Sequence, residues 1–168
     1  MFSDPVDAAI RYGRVSDGSF LALPLAPRNR RVLVAAPSYL DRRGRPNSLE
    51  ALGQHDCLAF MAGGTIYDNW IFEPEGKRQT ISVRSVMTSD DGDLIRRWAI
   101  DGRGISYKSW LDVHQDVASG RLEPILPGVT GELYPLNMIC PHREQLSPIV
   151  RRLRETLLGY LSGVNYNP

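Results

Sequence analysis

The feature that most constrains this chain is an almost purely apolar segment, Arg31-Val32-Leu33-Val34-Ala35-Ala36, which ends at Pro37. A strand without polar residues at alternate positions is typical of a sheet that is covered on both faces. Helices then lie on both sides of the sheet, which favours an α/β fold with mostly parallel strands. A short helix is predicted directly afterwards, because proline suits the first helical turn and Gly44 the position after the last turn.

Strand-like and helix-like segments alternate over the rest of the chain. Runs of apolar or alternating residues predict further strands in segments 6–11, 20–25, 57–60, 70–72, 79–86, 105–107, 122–126 and 134–140. Pro24 makes the second of these an edge strand or an irregular extended segment. Helical spacing predicts helices in segments 48–52, 94–99, 110–118 and 148–161. The last is the strongest, with Ser147 as its cap, Pro148 in its first turn and an apolar stripe of Val150, Leu153, Leu157 and Leu161.

Size and composition exclude several classes of protein. The chain has 168 residues, 42% of them hydrophobic, which allows one domain or two small lobes with a proper core. Twenty basic residues against 19 acidic ones give a net charge of +1, so no bulk positive field is available to hold nucleic acid. Two cysteines, Cys57 and Cys140, are too few for a disulfide framework. We therefore expect the protein to be located in the reducing cytoplasm. We find no signal peptide or membrane-spanning stretch in the sequence.

Catalytic and metal-binding patterns are weak. The three histidines, His55, His114 and His142, have no helical i, i+4 spacing of a metal site. The segment Asp90-Asp91-Gly92-Asp93 lacks the later glutamate of a calcium loop. Because no nucleophile, base and orienting group occur together, we expect neither catalysis nor a metal or other cofactor.

Five segments nevertheless follow one another in a recognisable order. They are Asp7-Ala8-Ala9-Ile10-Arg11-Tyr12-Gly13, Arg31-Val32-Leu33-Val34-Ala35-Ala36-Pro37-Ser38-Tyr39-Leu40, His55-Asp56-Cys57-Leu58, Gly102-Arg103-Gly104-Ile105-Ser106-Tyr107-Lys108-Ser109 and Gly120-Arg121-Leu122-Glu123-Pro124-Ile125-Leu126-Pro127. In this order they resemble the effector-binding (regulatory) domain of LysR-type transcriptional regulators. The resemblance extends from about residue 6 to residue 161.

This resemblance implies an α/β fold like that of type 2 periplasmic binding proteins, with two lobes joined by two crossing strands and a ligand cleft between them. Residues 1–35 and 136–168 would form part of a first lobe, and residues 36–135 a complete second lobe. The family's winged helix-turn-helix domain and the first elements of its first lobe have no counterpart in this sequence. The implied function is sensing of a small-molecule effector without catalysis. A stand-alone solute-binding protein or enzyme with the same lobe architecture is the alternative.

The resemblance and the free amides at helix starts select the candidate ligand contacts. One group is Thr88, Ser89 and Asp90, between a strand and a helix, and another is Ala36, Pro37 and Ser38. The remaining candidates are Tyr12, Gly13, Phe60, Met61, Tyr107 and Lys108. Several have a structural alternative: Ser38, Ser89 or Asp90 as a helix cap, Tyr12, Phe60 and Met61 as packed side chains, and Lys108 as a solvated charge. Hydroxyl and amide donors among them favour a small organic acid or a polar aromatic effector.

Partners follow from the same resemblance. DNA binding is expected only through a domain that this chain lacks, since Arg28, Arg30 and Arg31, like the arginines of segment 151–154, read as solvated charges. Without the helix that family members use for pairing, we expect a non-standard homodimer built from residues 1–35 and 136–168.

Overall fold

The structure is a computed structural model that describes residues 8–14, 20–140 and 147–166. Residues 6 and 7 of the first predicted strand, and His142, lie outside this part of the chain. The strands are β1 (Ala9–Tyr12), β2 (Leu21–Ala26), β3 (Arg31–Ala35), β4 (Cys57–Ala62), β5 (Thr65–Ile66), β6 (Asn69–Phe72), β7 (Gln79–Ser82), β8 (Ser85–Ser89), β9 (Ile105–Ser109), β10 (Glu123–Pro124) and β11 (Leu136–Cys140). The helices are α1 (Pro37–Arg43), α2 (Gly92–Ile100), α3 (Trp110–Ala118) and α4 (Pro148–Leu161), with short 3-10 helices at Glu50–Gln54 and Pro74–Gly76.

The chain divides into two compact units, which we call unit 1 and unit 2. Unit 1 consists of Met1–Arg30 and Leu133–Asn167, and unit 2 of Arg31–Glu132. Strand β3 belongs to unit 2 because it pairs with β9 and β10. The lobe boundaries at residues 35 and 135 that the resemblance implies remain a prediction.

Unit 1 is a three-stranded antiparallel sheet packed against α4. The strand order is β1-β11-β2, so β2 is an edge strand, as its proline predicts. The Ser147 hydroxyl accepts a hydrogen bond from the Val150 amide and caps α4. Val150, Leu157 and Leu161 of the predicted stripe pack with Met138 of β11. Leu153, by contrast, leaves 45% of its surface exposed.

Unit 2 contains a mixed sheet with the order β10-β3-β9-β4-β5, in which β8 also pairs with β4. Only β4 with β8 and β4 with β9 are parallel pairs, whereas β3 is antiparallel to both of its neighbours. The prediction of a mostly parallel sheet is therefore wrong. Strand β3 is buried for another reason. Leu33 and Ala35 pack in a cluster with Tyr39 of α1 and with Trp70 and Phe72 of β6, and α2 also contacts the strand.

A second correction concerns segment 79–86, which was expected to be a single strand. It forms β7 and β8, which pair with different partners, β6 and β4. The change of partner occurs between Val83 and Arg84, since the Val83 amide donates to Asp68 O and Arg84 O accepts from the Cys57 amide. A regular alternation of apolar residues does not reveal such a change, because both halves keep the same period.

Helices α2 and α3 are joined by a buried carboxylate. Asp116 of α3 is fully buried, and it accepts hydrogen bonds from Arg96 Nε at 2.6 Å and Arg96 Nη2 at 2.8 Å. Arg121 lies 2.5 Å from the same carboxylate. Two arginines thus compensate for the loss of hydration that Asp116 suffers in the interior.

We expect Asp116→Asn to destabilise the protein by about 3 kcal/mol, because Arg96 loses its charged bidentate partner in a desolvated position. Chemical denaturation monitored by circular dichroism measures the free energy of unfolding. Asp41→Asn is the matched control, since Asp41 pairs with Arg45 on the surface with 73% of its side chain exposed; it is expected to change stability by less than about 0.5 kcal/mol. Equal effects of the two substitutions would contradict this account of the network.

Candidate functional site

Three polar or aromatic candidates lie at the same end of the parallel strands. Phe60 of β4 pairs with Ser89 of β8, and Leu58 pairs with Ser106 of β9. Lys108 follows Ser106 by two residues, as Phe60 follows Leu58. All three candidates therefore lie in the row of residues that ends these strands. We call this end of the sheet the carboxyl edge, and it also carries Met61 and Thr88 on the opposite face.

The start of α2 lies next to this row. Asp91 caps the helix by accepting hydrogen bonds from the amides of Asp93 and Leu94, at 2.8 and 3.3 Å. Ser89 Oγ accepts from the Asp91 amide at 3.0 Å. The cap is thus Asp91 rather than Ser89 or Asp90, and Asp90 is left exposed immediately after the strand.

Lys108 is held in place by two neighbours. Its ammonium group donates to Gly92 O at 2.9 Å and lies 3.1 Å from Asp112 Oδ2, and only 12% of the side chain is exposed. An open groove of about 450 Å³ runs past it. The groove is lined by Gly92, Asp93, Arg96, Lys108, Asp112 and Gln115. Lys108 is therefore neither a solvated charge nor an unpaired one.

An exposed aromatic pair completes the carboxyl edge. The Phe60 and Tyr67 rings lie 6.1 Å apart between centroids, with 36% and 49% of the residues exposed. A tight hairpin between β4 and β5 brings them together. Its two turn residues, Gly63 and Gly64, have φ values of 55° and 80°, which only glycine adopts without strain.

The structure places Ala36, Pro37 and Ser38 at the opposite end of the sheet. Strand β3 is antiparallel to β9, with Arg31 opposite Ser109 and Val34 opposite Ser106. Its last residues therefore lie beside the start of β9. Strands of five residues separate the two ends by about 15 Å. One small ligand cannot contact both Ser38 and Ser89, so the structure does not bring these candidates together.

Tyr107 is a core residue. It is 5% exposed, its hydroxyl donates to Ile71 O at 2.5 Å, and it accepts from the Glu132 amide at 2.6 Å. Burial raises the pKa of this phenol far above its ordinary value. The cavity beside it has a volume of about 20 Å³, which is room for one water molecule and not for an effector.

The two candidates in unit 1, Tyr12 and Gly13, lie at the end of strand β1. The Tyr12 ring stacks on that of Tyr134, with centroids 5.1 Å apart and planes 7° from parallel. Gly13 adopts a φ of 91°, donates its amide to Pro135 O and accepts a hydrogen bond from Asn137 Nδ2. Tyr12 therefore offers a stacked aromatic surface, while the backbone of Gly13 is already bonded within the sheet.

Among the described residues no group of three or more His, Cys, Asp or Glu side chains is arranged to hold a metal ion. In the same part of the chain no helix is both long and apolar enough to cross a membrane.

Burial raises the pKa of the Cys57 thiol to about 12, so it remains protonated at neutral pH.

A family model described as the LysR substrate binding domain matches residues 2–162. This chain belongs to the LysR substrate-binding domain family. The resemblance seen in the sequence is thereby confirmed. The transcriptional activator TtdR of Escherichia coli K12 is 31% identical over 127 residues, covering 76% of this chain and 41% of the relative. The regulator CrgA of Neisseria meningitidis serogroup B is 33% identical over 135 residues, covering 80% and 44%.

Solved structures of LysR-type proteins share the fold. The regulatory domain of CrgA from Neisseria meningitidis superposes with a TM-score of 0.78 at 28% identity, covering 93% of this chain and 76% of that one. The AphB regulatory domain of Vibrio vulnificus gives 0.69 at 22% identity, over 92% and 74%. The predicted α/β fold of the type 2 periplasmic-binding-protein class is therefore confirmed. The chain spans less than half the length of the curated relatives named above.

Sequence reasoning missed two residues that shape the carboxyl edge of this LysR family domain. Tyr67 follows Phe60 across the Gly63-Gly64 turn, and the glycine pair was the signal that the two rings could meet. Asp112 follows Lys108 by four residues and forms an ion pair with it. The i, i+4 rule for opposite charges applies within a helix, and here Lys108 belongs to a strand and Asp112 to the following helix, so the spacing gave no clear signal.

A buried histidine lies at the end of the sheet where Ser38 is found. His55 Nδ1 is 3.2 Å from the Tyr39 hydroxyl, which accepts from the Asp56 amide at 2.9 Å. One group of this pair donates and the other accepts, and a neutral imidazole can do either. Burial, with the Arg43 charge, lowers the pKa of His55 below its ordinary value of 6.5, against an opposing effect of Asp56.

We expect this histidine to make stability depend on pH. Because the folded state has the lower pKa, the unfolded chain binds the proton first as pH falls below about 6.5, and the contribution of neutral His55 to stability is then progressively lost. The free energy of unfolding should thus fall between pH 7.5 and 5 more steeply in the parent protein than in His55→Gln. A His114→Gln series controls for loss of an imidazole. Parallel curves for the parent and His55→Gln would contradict the expectation.

Proposed function

We propose that this chain is the effector-sensing part of a bacterial LysR-type transcriptional regulator and that it does not catalyse a reaction. The observation that carries the proposal is the family match over residues 2–162. The relatives TtdR and CrgA are named as transcriptional regulators, which supports the same role. DNA binding is proposed to reside in a part of the protein outside this chain.

The proposed effector site in unit 2 is the carboxyl edge, with Phe60, Met61, Thr88, Ser89 and Asp90. It is the place where exposed aromatic surface, hydroxyl groups and the start of a helix lie together. Such a combination of apolar surface and few polar groups is typical of small-molecule sites. Lys108 supports this edge from the groove side.

In unit 1, taken by itself, we propose Tyr12 and Gly13 as candidate ligand contacts. Unit 1 would correspond to part of the family's first lobe, and unit 2 to the second. Ala36, Pro37, Ser38 and Tyr107 are left out of the proposed site, because the first three lie at the far end of the sheet and the last is enclosed in the core.

The effector is proposed to be a small organic acid or a polar aromatic metabolite. Binding members of a library of both classes should raise the melting temperature, and at ligand concentrations above the dissociation constant the rise should follow the logarithm of the concentration. At one hundred times the dissociation constant the stabilisation is about 2.7 kcal/mol, which for a chain of this size is several degrees. A response to neutral apolar compounds only, or turnover of any compound, would count against the proposal.

Substitutions locate the bound effector. Ser89→Ala should weaken binding about fivefold, since one hydrogen bond contributes about 1 kcal/mol. Ser119→Ala is the matched control, because Ser119 is exposed at the far end of α3. The same loss of affinity in both variants would show that the carboxyl edge is not the site.

We also propose a homodimer formed through unit 1. Ile149, Leu153 and Tyr160 lie on one stripe of α4 and leave 80%, 45% and 79% of their surfaces exposed. Contiguous exposed apolar residues of this kind mark protein interfaces. Leu153→Glu is expected to shift the protein towards monomer in sedimentation equilibrium, whereas Glu155→Ala on the polar side of the helix should not. A parent protein that is monomeric at every concentration would refute the dimer.

A further inference from the structure

The charges around the carboxyl edge indicate what kind of chemical group it accepts. A carboxylate is bound most strongly where a basic side chain or unpaired amides meet it. At this edge the basic side chains are Arg31, at the start of β3, and Lys108 and Arg96, which line the groove beside α2. Their bonding partners decide whether an anion can use them.

Each of these basic side chains already has a carboxylate partner. Lys108 lies 3.1 Å from Asp112 Oδ2, and Arg96 is bound in bidentate fashion to Asp116. Arg31 lies 3.9 Å from Glu132 and above the ring of Tyr107. An anionic ligand would therefore have to displace a carboxylate from one of these pairs.

The amides at the start of α2 are occupied in the same way. Asp91 Oδ1 accepts from the amides of Asp93 and Leu94, and Ser89 Oγ accepts from that of Asp91. The carboxylate of Asp91 thus takes the position that a bound anion would occupy at the helix end. Asp90, next to it, is exposed, and the described residues give it no basic partner, so it adds an uncompensated negative charge.

The groups left free at the edge fit a different ligand. Phe60 and Tyr67 present exposed ring surface. The Ser89 hydroxyl, which only accepts within the protein, has its proton available, and the Asp90 carboxylate can accept hydrogen bonds. Together they offer stacking surface and hydrogen bonding to a ring substituent, with a field that opposes negative charge.

We propose that the group of the effector that meets the carboxyl edge is an aromatic ring bearing a hydrogen-bond donor and no negative charge. This rests on the proposed effector-sensing function and selects the polar aromatic class over the organic acids for this contact. Phe60 and Tyr67 determine affinity for the ring, and Asp90 determines selection by charge.

Three probes with the same ring and a two-carbon tail test the charge selection: tyrosol, which is neutral, tyramine, which is a cation, and 4-hydroxyphenylacetate, which is an anion. Each is titrated into the ¹⁵N-labelled chain while backbone amide shifts of residues 60–67 and 88–91 are followed by NMR. Tyrosol and tyramine are expected to shift these amides with dissociation constants at least tenfold lower than that of the acid.

Variants separate the roles of ring and charge. Phe60→Ala and Tyr67→Ala are each expected to raise the dissociation constant of tyrosol at least fivefold. Val86 of β8 is exposed to a similar extent but lies away from the edge, so Val86→Ala should leave this dissociation constant unchanged. Asp90→Asn is expected to weaken the binding of tyramine about threefold, to strengthen the binding of 4-hydroxyphenylacetate about threefold and to leave that of tyrosol unchanged. These factors are those expected for two unit charges about 6 Å apart in water.

The outcomes distinguish this inference from the proposed function. Preferential binding of 4-hydroxyphenylacetate at these amides would overturn the inference and still support an effector site at the edge. No shift with any probe would overturn the inference, whatever the thermal screen of organic acids shows. Shifts that Phe60→Ala and Tyr67→Ala leave intact would also overturn it.

Discussion

The register of β4 with its two parallel neighbours is the constraint on which the candidate site depends. Cys57 pairs with both Ser85 and Ile105, so the first residues of β8, β4 and β9 lie side by side at one edge of the sheet. The three strands then run in the same direction towards the other edge. Parallel strands bring their carboxyl ends to the same edge, and the helices that follow them begin there. Phe60 and Ser89, distant in sequence, become neighbours through this register, and Lys108 is brought to the same end of the sheet.

Helix packing behind that edge depends on charges that are neutralised within the protein. Asp116 is buried between Arg96 and Arg121, and Lys108 joins the end of β9 to the first turns of α2 and α3 through Gly92 O and Asp112. These contacts hold the two helices to the sheet. They also pair Lys108 and Arg96 with carboxylates. The interactions that position the helices thus also set the charge on this side of the carboxyl edge.

The sequence predicted the elements better than their arrangement. The apolar run of β3, the helices α1 and α4 with their terminal prolines, and the family resemblance were all readable, because they depend on local patterns or on landmarks in order. Strand direction was not, since an apolar run reads the same in a parallel and an antiparallel sheet. The single strand expected over 79–86 failed for a related reason: its two halves keep one alternation while changing partner.

Site residues show the same limit, since local signals report the chemistry of a side chain and not the end of the sheet at which it lies. Ser38 and Ser89 both occur near a helix start, yet the antiparallel direction of β3 places Ser38 beside the beginning of β9. Tyr107 and Lys108 are adjacent in sequence, and strand alternation sends one ring into the core and one ammonium group towards α2. The residues at the carboxyl edge with exposed rings make few core contacts, so they can vary among relatives that share this fold without loss of the core. The exposed surface of the carboxyl edge and the stability of the core thus depend on different side chains.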